Sequence, residues 1–551
     1  MDAFSLPEFQ SVCNKKLKKM IRKATIKNTI LPATVFLCMS YSGQVNAQTA
    51  ETSRPNILFA ISDDQSFPHA SAYGATAIST PAFDALAKEG VLFVNAFAAA
   101  PQCSPSRAAI LTGRNIWQLE EAGTHGSLFP KKFQVFTDAL GNSGYSVGYT
   151  GKAWAPGNWK QSGWERNPVG PEFNSNVLDD VPYDGIKNVD YSANFREFIN
   201  AKENSKPFFF WFGCHEPHRE FEYGSGVKSG KSLSDATVPD FLPDVELVQN
   251  EILDYNVEIE WFDKHLGEMI SFLKEIGEFE NTIIVITSDN GMAFPHAKAN
   301  LYEFGTHVPL LISGKKFFRG DRTVDDLVSL IDLAPTFLEL ANVPLFEGIT
   351  GKSLLPLLTG TLAEKNSGHR DYVFTGRERH THARPDNLGY PCRAVRTKDF
   401  LYIRNFKADR WPAGDPSNNE IPDHVESKDI KPIGLGYSDI DDSPTKELMI
   451  NNSSLFSELF QKAFAKRPAE ELYDIKNDPF CLVNISDDEQ FSEVKSHLKM
   501  VLENELKRLG DPRVSGYGDI FESYPRFGLM RNFPGFKERG EYNKKYMIKQ
   551  E

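Results

Sequence analysis

An α/β sandwich around a mostly parallel sheet, followed by a smaller α+β lobe, is the fold this sequence predicts. Three observations carry that expectation. Short apolar runs such as Asn56–Ser62 lead straight into acidic residues, as strands buried on both faces do. Such runs alternate with stretches of helical periodicity, the pattern of a sheet layered with helices. A chain of 551 residues, 40% hydrophobic and 12% aromatic, exceeds what one core usually fills and is too apolar to stay disordered.

The first 47 residues stand outside that fold. Lys15, Lys16, Lys18, Lys19, Arg22, Lys23 and Lys27 form a basic region, and Ile30 to Cys38 an apolar run too short to span a bilayer. Val45-Asn46-Ala47 then supplies a cleavage pattern, so 1–47 reads as a signal peptide, with Met20 as an alternative start. No small residue precedes Cys38, which disfavours a lipid-anchored cysteine. The expected product is periplasmic or secreted and has no membrane span. Without the leader, 54 Lys and Arg face 72 Asp and Glu, a net charge of −18. That balance excludes a general nucleic-acid binder, yet a cationic pocket for a small anion fits inside an acidic shell. Cys103, Cys214, Cys392 and Cys481 are too widely scattered to make a disulfide framework.

Along the remaining chain, residues 82–89 read as a helix and Val91–Phe97 as a strand. Further strands are expected at Tyr145–Tyr149, Pro207–Phe212 and Thr282–Thr287, and helices at Val245–Ile276 and Leu327–Ala341. Asp63-Asp64, Cys214-His215 and Asp289-Asn290 all fall at carboxyl ends of strands, where α/β sheets build their sites. Beyond about residue 360 the pattern changes: a polar loop at 376–396, a strand at Phe400–Asn405, an irregular stretch at 410–455 and a late helix at Phe491–Leu509 precede an aromatic, basic tail. The boundaries expected are a catalytic domain over 48–364 and a subdomain over 365–551 that completes the substrate pocket.

Three groups of residues carry chemistry. In Cys103-Ser104-Pro105-Ser106-Arg107, Pro105 suits a helix start, which places Cys103 at the positive end of a helix and Arg107 one turn on. Asp63, Asp64, Asp289 and Asn290 make a hard oxygen set suited to Ca²⁺ or Mg²⁺. Lys152, Lys298 and His215 follow strands or the Asp-Asn pair; taken singly, each also suits a solvated surface.

Cys103-x-Pro-x-Arg107 followed by Thr112-Gly113-Arg114 resembles the formylglycine-dependent sulfatases. The resemblance implies an alkaline-phosphatase-like sandwich in which a maturing enzyme oxidises Cys103 to 3-oxoalanine, whose hydrate attacks sulfur. It further implies Ca²⁺ on Asp63, Asp64, Asp289, Asn290 and the modified Cys103, sulfate oxygens held by Lys152 and Lys298, and His215 protonating the leaving group, with His218, His296 and His307 as weaker alternatives. Arg54-Pro-Asn-Ile-Leu, Phe93–Ala98 and Leu333-Ala-Pro-Thr336 look like family scaffold. The run Asn290–Gly305 is most similar to the heparan N-sulfatase branch, which also holds bacterial exo-sulfatases of O-sulfated sugars. The implied substrate is a sulfated glycosaminoglycan or mucin-type sugar, or N-sulfoglucosamine. Gln102, His125, His296, Arg379, His380, His382 and Arg384 are candidate sugar contacts, with His69, Asp386 and Trp411 nearby. One departure stands out: where many family members carry a histidine two residues after the first lysine, this chain has Trp154, so either another base, with His125 the candidate, replaces it or that step works differently. A phosphate-ester hydrolase of the wider superfamily and a non-catalytic binder of sulfated glycans are the rival readings.

Overall fold

Eight strands form the central sheet of the computed structural model: β1 (Asn56–Ser62), β2 (Val91–Phe97), β3 (Ser146–Gly151), β4 (Phe208–Gly213), β5 (Thr282–Ser288), β6 (His307–Ser313), β7 (Arg322–Val324) and β8 (Val328–Ser329). The structure describes residues 54–361, 368–384, 386, 388–416, 430–431, 436–527 and 530–531; the leader and the end of the aromatic tail lie outside them. Strand order is β3-β4-β1-β5-β6-β2-β7, with β8 also on β2. The β3-β4, β4-β1 and β1-β5 pairs are parallel; β6 runs antiparallel to both its neighbours.

β4, Phe-Phe-Phe-Trp-Phe-Gly, shows why the sheet needs two covering layers. Phe209 and Trp211 enter one core with Ile57, Phe59 and Ile61 of β1, and Phe208, Phe210 and Phe212 enter the other with Leu58 and Ala60. Side chains alternate across a strand, so an all-apolar strand is stable only with both faces covered. The 30-residue helix Glu246–Glu275 covers the second face with Phe262, Leu266, Met269 and Leu273, and Leu333–Leu340 covers the first with Phe337. Each buried aromatic contributes about 1.5–3 kcal/mol of transfer free energy as an upper figure.

Four sequence expectations change. Leu327–Ala341 is not one helix: β8, a 3-10 turn and the helix Leu333–Leu340 follow one another, because Ser329 and Asp332 form a capping box that sets the helix start. β6 was not anticipated, since Pro309 lacks a ladder donor, which argues against a central strand. The 376–396 stretch is not all loop. Its ends belong to Val373–Arg377 and Cys392–Arg396, which join Phe400–Asn405 and Glu470–Asp474 in a four-stranded antiparallel sheet. Within 410–455 a helix, Pro444–Asn451, begins at Ser443, whose side chain accepts from Lys446 N. Residues 417–429 and 432–435 of that stretch lie outside the described ones.

Candidate active site

The parallel strands β3, β4, β1 and β5 end side by side, with Gly151 opposite Gly213 and Ser62 opposite Ser288. Their carboxyl ends deliver Lys152, His215, Asp63 with Asp64, and Asp289 with Asn290 to one place. Gly213 has to be glycine: a Cβ there would meet the Lys152 carbonyl oxygen at 1.9 Å. Asp64 adopts a left-handed φ of 73°, uncommon for a non-glycine residue and concentrated at functional sites. Tyr255 holds that turn by donating its hydroxyl to the Asp64 carbonyl at 3.1 Å.

Cys103 is the first residue of the helix Cys103–Thr112 and is 1% exposed. The helix thus starts two residues before Pro105, which occupies its first turn, where no intrahelical N–H is needed. The Cys103 Sγ lies 3.9 Å from Asp64 Oδ1. One turn on, Arg107 ties three strand ends together: Nε donates to Asp289 Oδ2 at 2.7 Å, Nη1 to the Lys152 carbonyl at 2.7 Å, and Nη2 lies 3.7 Å from Asp63 Oδ1. Lys152 Nζ is paired with Asp63 Oδ2, and Lys298 Nζ with Asp64 Oδ2 at 2.6 Å.

Burial and charge set the protonation of these groups. Burial would raise the Asp63 carboxyl, yet Lys152, His218 and Arg107 hold it well below the usual range. Asp289 is pushed up to about 7 by burial and then by the charge of Asp63, against the pull of Arg107. Burial, with Asp63 second, raises the Cys103 thiol well above its ordinary value. His215 is lowered to about 4 by burial and the charge of Lys152. His125 is held well below the ordinary value by burial and by His380, Arg526, Lys298 and Lys152.

Ligand atoms of Asp63, Asp64, Cys103 and Asp289 lie within 4.8 Å of one another, as do those of Asp63, Cys103 and His218. Asp63 Oδ1, Asn290 Oδ1 and Arg107 Nη2 are buried without a hydrogen-bond partner. Orphaned oxygens beside mutually repelling carboxylates fit a hard divalent cation. A buried guanidinium nitrogen with no acceptor fits an anion.

His218 and Asp441 belong here and were missed or undervalued. His218 Nε2 is 3.8 Å from Asp64 Oδ2, and Asp441 Oδ2 is 3.1 Å from Lys298 Nζ. The proximity of His218 was readable in His215-Glu216-Pro217-His218; nothing in the sequence singled out Asp441.

The proposed sugar contacts separate into two sets. Gln102 is fully buried beside Cys103, with both amide atoms lacking a hydrogen bond. His125 points its Nδ1 at the His380 carbonyl at 3.0 Å, with the two rings edge to face at 4.6 Å, and Lys298 lowers the pKa of both. The others are drawn into the fold. His296 places its ring nitrogens 3.2 Å and 3.0 Å from the Lys462 and Phe480 carbonyls and stacks on Tyr302, so its ring is committed to packing. Arg384 joins Arg377 on Asp439 and also donates to the Trp411 and Pro412 carbonyls. Arg379 is buried and donates to the Pro525 carbonyl; burial lowers it to about 10. His382 is fully buried, and Asp386 is half-buried on a left-handed turn. His69 lies against Tyr255 and Phe304, His307 stacks between Phe67 and Phe97, and Trp411 packs toward Tyr437. Trp154 is buried and donates its indole N–H to the Ser104 carbonyl at 3.0 Å.

Residues 55–343 match the Sulfatase family model. The chain belongs to the sulfatase family. Residues 295–431 of this sulfatase also match the N-sulphoglucosamine sulphohydrolase, C-terminal model. It is 28% identical to an ulvan-active sulfatase of Formosa agariphila over 88% of each chain. It is 26% identical to N-sulphoglucosamine sulphohydrolase of Homo sapiens over 85% of this chain and 93% of that one. A protein solved with its substrate D-glucosamine-2-N,6-O-disulfate shares the fold at TM-score 0.58 and 21% identity, over 83% of this chain and 98% of that one. The sandwich is alkaline-phosphatase-like, and the enzyme is a sulfuric ester hydrolase.

Proposed function

We propose that this sulfatase removes sulfate from a sulfated sugar of glycosaminoglycan or mucin type, acting from the chain end, once Cys103 has been converted to formylglycine and a calcium ion is bound. The observation that carries the reading is the set of unpaired buried atoms around Cys103: Asp63 Oδ1, Asn290 Oδ1 and Arg107 Nη2. Charge supports the substrate class. Asp63, Asp64, Asp289 and Asp441 face Arg107, Lys152 and Lys298, so a divalent cation leaves one positive charge to be met. A sulfate ester is a monoanion and meets it; a phosphate monoester would bring two negative charges.

Asp63, Asp64, Asp289 and Asn290 would hold calcium. In place, the hydrated aldehyde supplies the nucleophilic hydroxyl and the metal withdraws charge from the sulfuryl oxygens. The rest falls to the chain's own residues. Arg107 fixes Asp289 with one edge and leaves Nη2 for a substrate oxygen. Lys152 and Lys298, kept charged by Asp63 and by Asp441 with Asp64, donate to the sulfuryl oxygens. Burial and Lys152 keep His215 neutral before substrate enters; the incoming anion raises its proton affinity, so that it takes up a proton from water and passes it to the departing atom. His125 donates Nδ1–H to the His380 carbonyl, which leaves a lone pair on Nε2 to accept a proton in place of the histidine that Trp154 replaces. The Trp154 indole N–H, committed to Ser104, moves no proton.

A sulfamidase reading is favoured by one finding, the match of residues 295–431 to the N-sulphoglucosamine sulphohydrolase C-terminal model, a stretch that includes Lys298. Sulfate release from 6-O-sulfated and N-sulfated glucosamine, set against phosphate release from the 6-phosphorylated sugar, separates these readings, and mass analysis of the Cys103 peptide tests the conversion. Phosphate release without sulfate release would overturn the proposal.

A further inference from the structure

His215 sits where strand pairing on one side of it has just stopped. Cys214 N donates to the Ile61 carbonyl at 3.0 Å and Asp63 N to the Glu216 carbonyl at 3.1 Å, so residues 214–216 still run along β1. Backbone groups alternate between the two edges of a strand, which turns the His215 N–H toward β3. There the ladder ends with Lys152 N on the Gly213 carbonyl at 2.7 Å. Its next rung would offer His215 N the Lys152 carbonyl, but Arg107 Nη1 takes that oxygen at 2.7 Å. A backbone N–H in the fold needs a partner, and here a side chain supplies it. The Tyr191 hydroxyl accepts from His215 N at 3.1 Å.

Glu216 orients that hydroxyl. Its side chain is 1% exposed and takes three hydrogen bonds: Lys187 N on Oε1, and the Tyr191 hydroxyl and Cys214 thiol on Oε2, each at 2.8 Å. The carboxylate accepts only, so the Tyr191 proton goes to Glu216 and a lone pair is left for His215 N. The ring cannot turn away. It is fully buried at the start of the helix Tyr191–Ala201, against Phe212 and edge-on to His265, and a Cβ on Gly151 would meet its Cε1 at 2.7 Å. Burying a carboxylate is costly, and filling space does not call for one.

We propose that Tyr191 and Glu216 are positioning residues for His215. The carboxylate orients the hydroxyl, and the hydroxyl holds the main chain from which the imidazole reaches the departing atom. The proposal rests on the proton-donor role given to His215 above. Through its own carbonyl, Glu216 also ties that donor to the turn that carries Asp63.

A double-mutant cycle tests it, using enzyme with Cys103 converted and the sulfated glucosamine that it hydrolyses. Tyr191→Phe is expected to lower kcat roughly 10-fold and to leave KM within about threefold, since a reacting group that is misplaced slows the chemistry. In the His215→Ala background the same substitution should change the rate by less than about twofold, because a residue that acts through His215 has nothing left to position. A general acid contributes roughly 10²–10⁴-fold, so the His215→Ala rates remain measurable with enzyme in excess. Glu216→Asp draws the carboxylate back by one methylene and keeps its charge; it should give the same pattern, and it replaces Tyr191→Phe in the cycle if that variant does not fold. An unchanged kcat, or the equal loss in both backgrounds that a merely structural role gives, would overturn the positioning while the sulfatase reading stands. A His215→Ala enzyme as fast as its parent would overturn the acid role and the positioning together. No sulfate release by the parent would overturn the sulfatase reading itself.

Discussion

Buried charge at the carboxyl end of the central sheet and buried charge around the antiparallel sheet are built to opposite ends. At the carboxyl end of the central sheet, Arg107, Asp63 and Asn290 each keep an atom with no hydrogen bond. In the antiparallel sheet, Arg393 places Nε on Asp511 and Nη2 on Glu378, and Arg513 takes the other oxygen of Glu378. Asp439 likewise collects Arg377, Arg384 and the Thr381 N–H. Removing charge from water is costly unless every partner is supplied from within. The second cluster meets each of its carboxylate oxygens from within, although Arg513 Nη1 and Arg377 Nε go without a hydrogen bond; the first leaves a carboxylate and an amide oxygen that something else must complete. The same residue types therefore mark a site in one place and a scaffold in the other.

Cys103→Ala should break the comparison most sharply. Sulfate release is expected to fall by roughly 10⁴-fold or more, since no other group replaces the nucleophile, while the melting temperature shifts by a few degrees at most. Near-native turnover in that variant would remove the first cluster's claim to the chemistry.

Arg393→Met attacks the closed cluster. It takes both guanidinium contacts from Asp511 and one from Glu378, leaving Asp511 only the Arg513 N–H and Glu378 only the Arg513 guanidinium, and should cost about 3–5 kcal/mol in urea unfolding. The kcat of the folded fraction should stay within a factor of two, and a large selective loss of kcat would assign this cluster a part in catalysis.

Calcium sharpens the contrast from the other side. If the open cluster is completed by the ion, saturating it at a hundred times its dissociation constant should raise the unfolding free energy by about 2.7 kcal/mol. Asp289→Asn should shrink that increment, and Arg393→Met should leave it intact. An increment unaltered by Asp289→Asn would place the ion elsewhere.

The last effect concerns acid. His69 is lowered to about 4 by burial, against an ordinary value near 6.5 in the unfolded chain. Between those values the unfolded chain binds a proton that the folded one does not, so stability falls as pH drops from 6.5 to 4, by up to about 1.4 kcal/mol per pH unit. Asp263, pushed up to about 6, works in the opposite direction. His69→Gln should flatten the loss measured by urea unfolding across that range; an unchanged slope would show that this ring is not the group responsible.

How much was legible follows from how local each signal is. β1 and β4 were readable because strands buried on both faces carry apolar runs, and β2 because it alternates buried with half-buried residues. Asp63, Asp289, Cys103 and Arg107 were legible as a group through motif and strand-end position, and the fold brings them together. β6 was hidden by Pro309, whose carbonyl nonetheless accepts from Thr287 Oγ1 at 2.7 Å. Arg384 and Asp441 were beyond reach for a different reason. Each is defined by a partner far along the chain, Asp439 for one and Lys298 for the other, and no local pattern encodes such pairings. Composition alone made the polar 376–396 stretch look like a loop that offers sugar contacts, whereas its arginines are buried, and Arg377, Arg384, Arg393 and Arg396 are paired with carboxylates.

The sealing of Cys103 also imposes an order of events. A sulfur this enclosed, at the head of a helix clamped to three strand ends, offers no approach to another protein once the chain has closed. If the proposed conversion is made by a partner protein, that partner has to meet the side chain as an open polypeptide, so the timing of folding, rather than the finished surface, would decide how much of the population becomes competent.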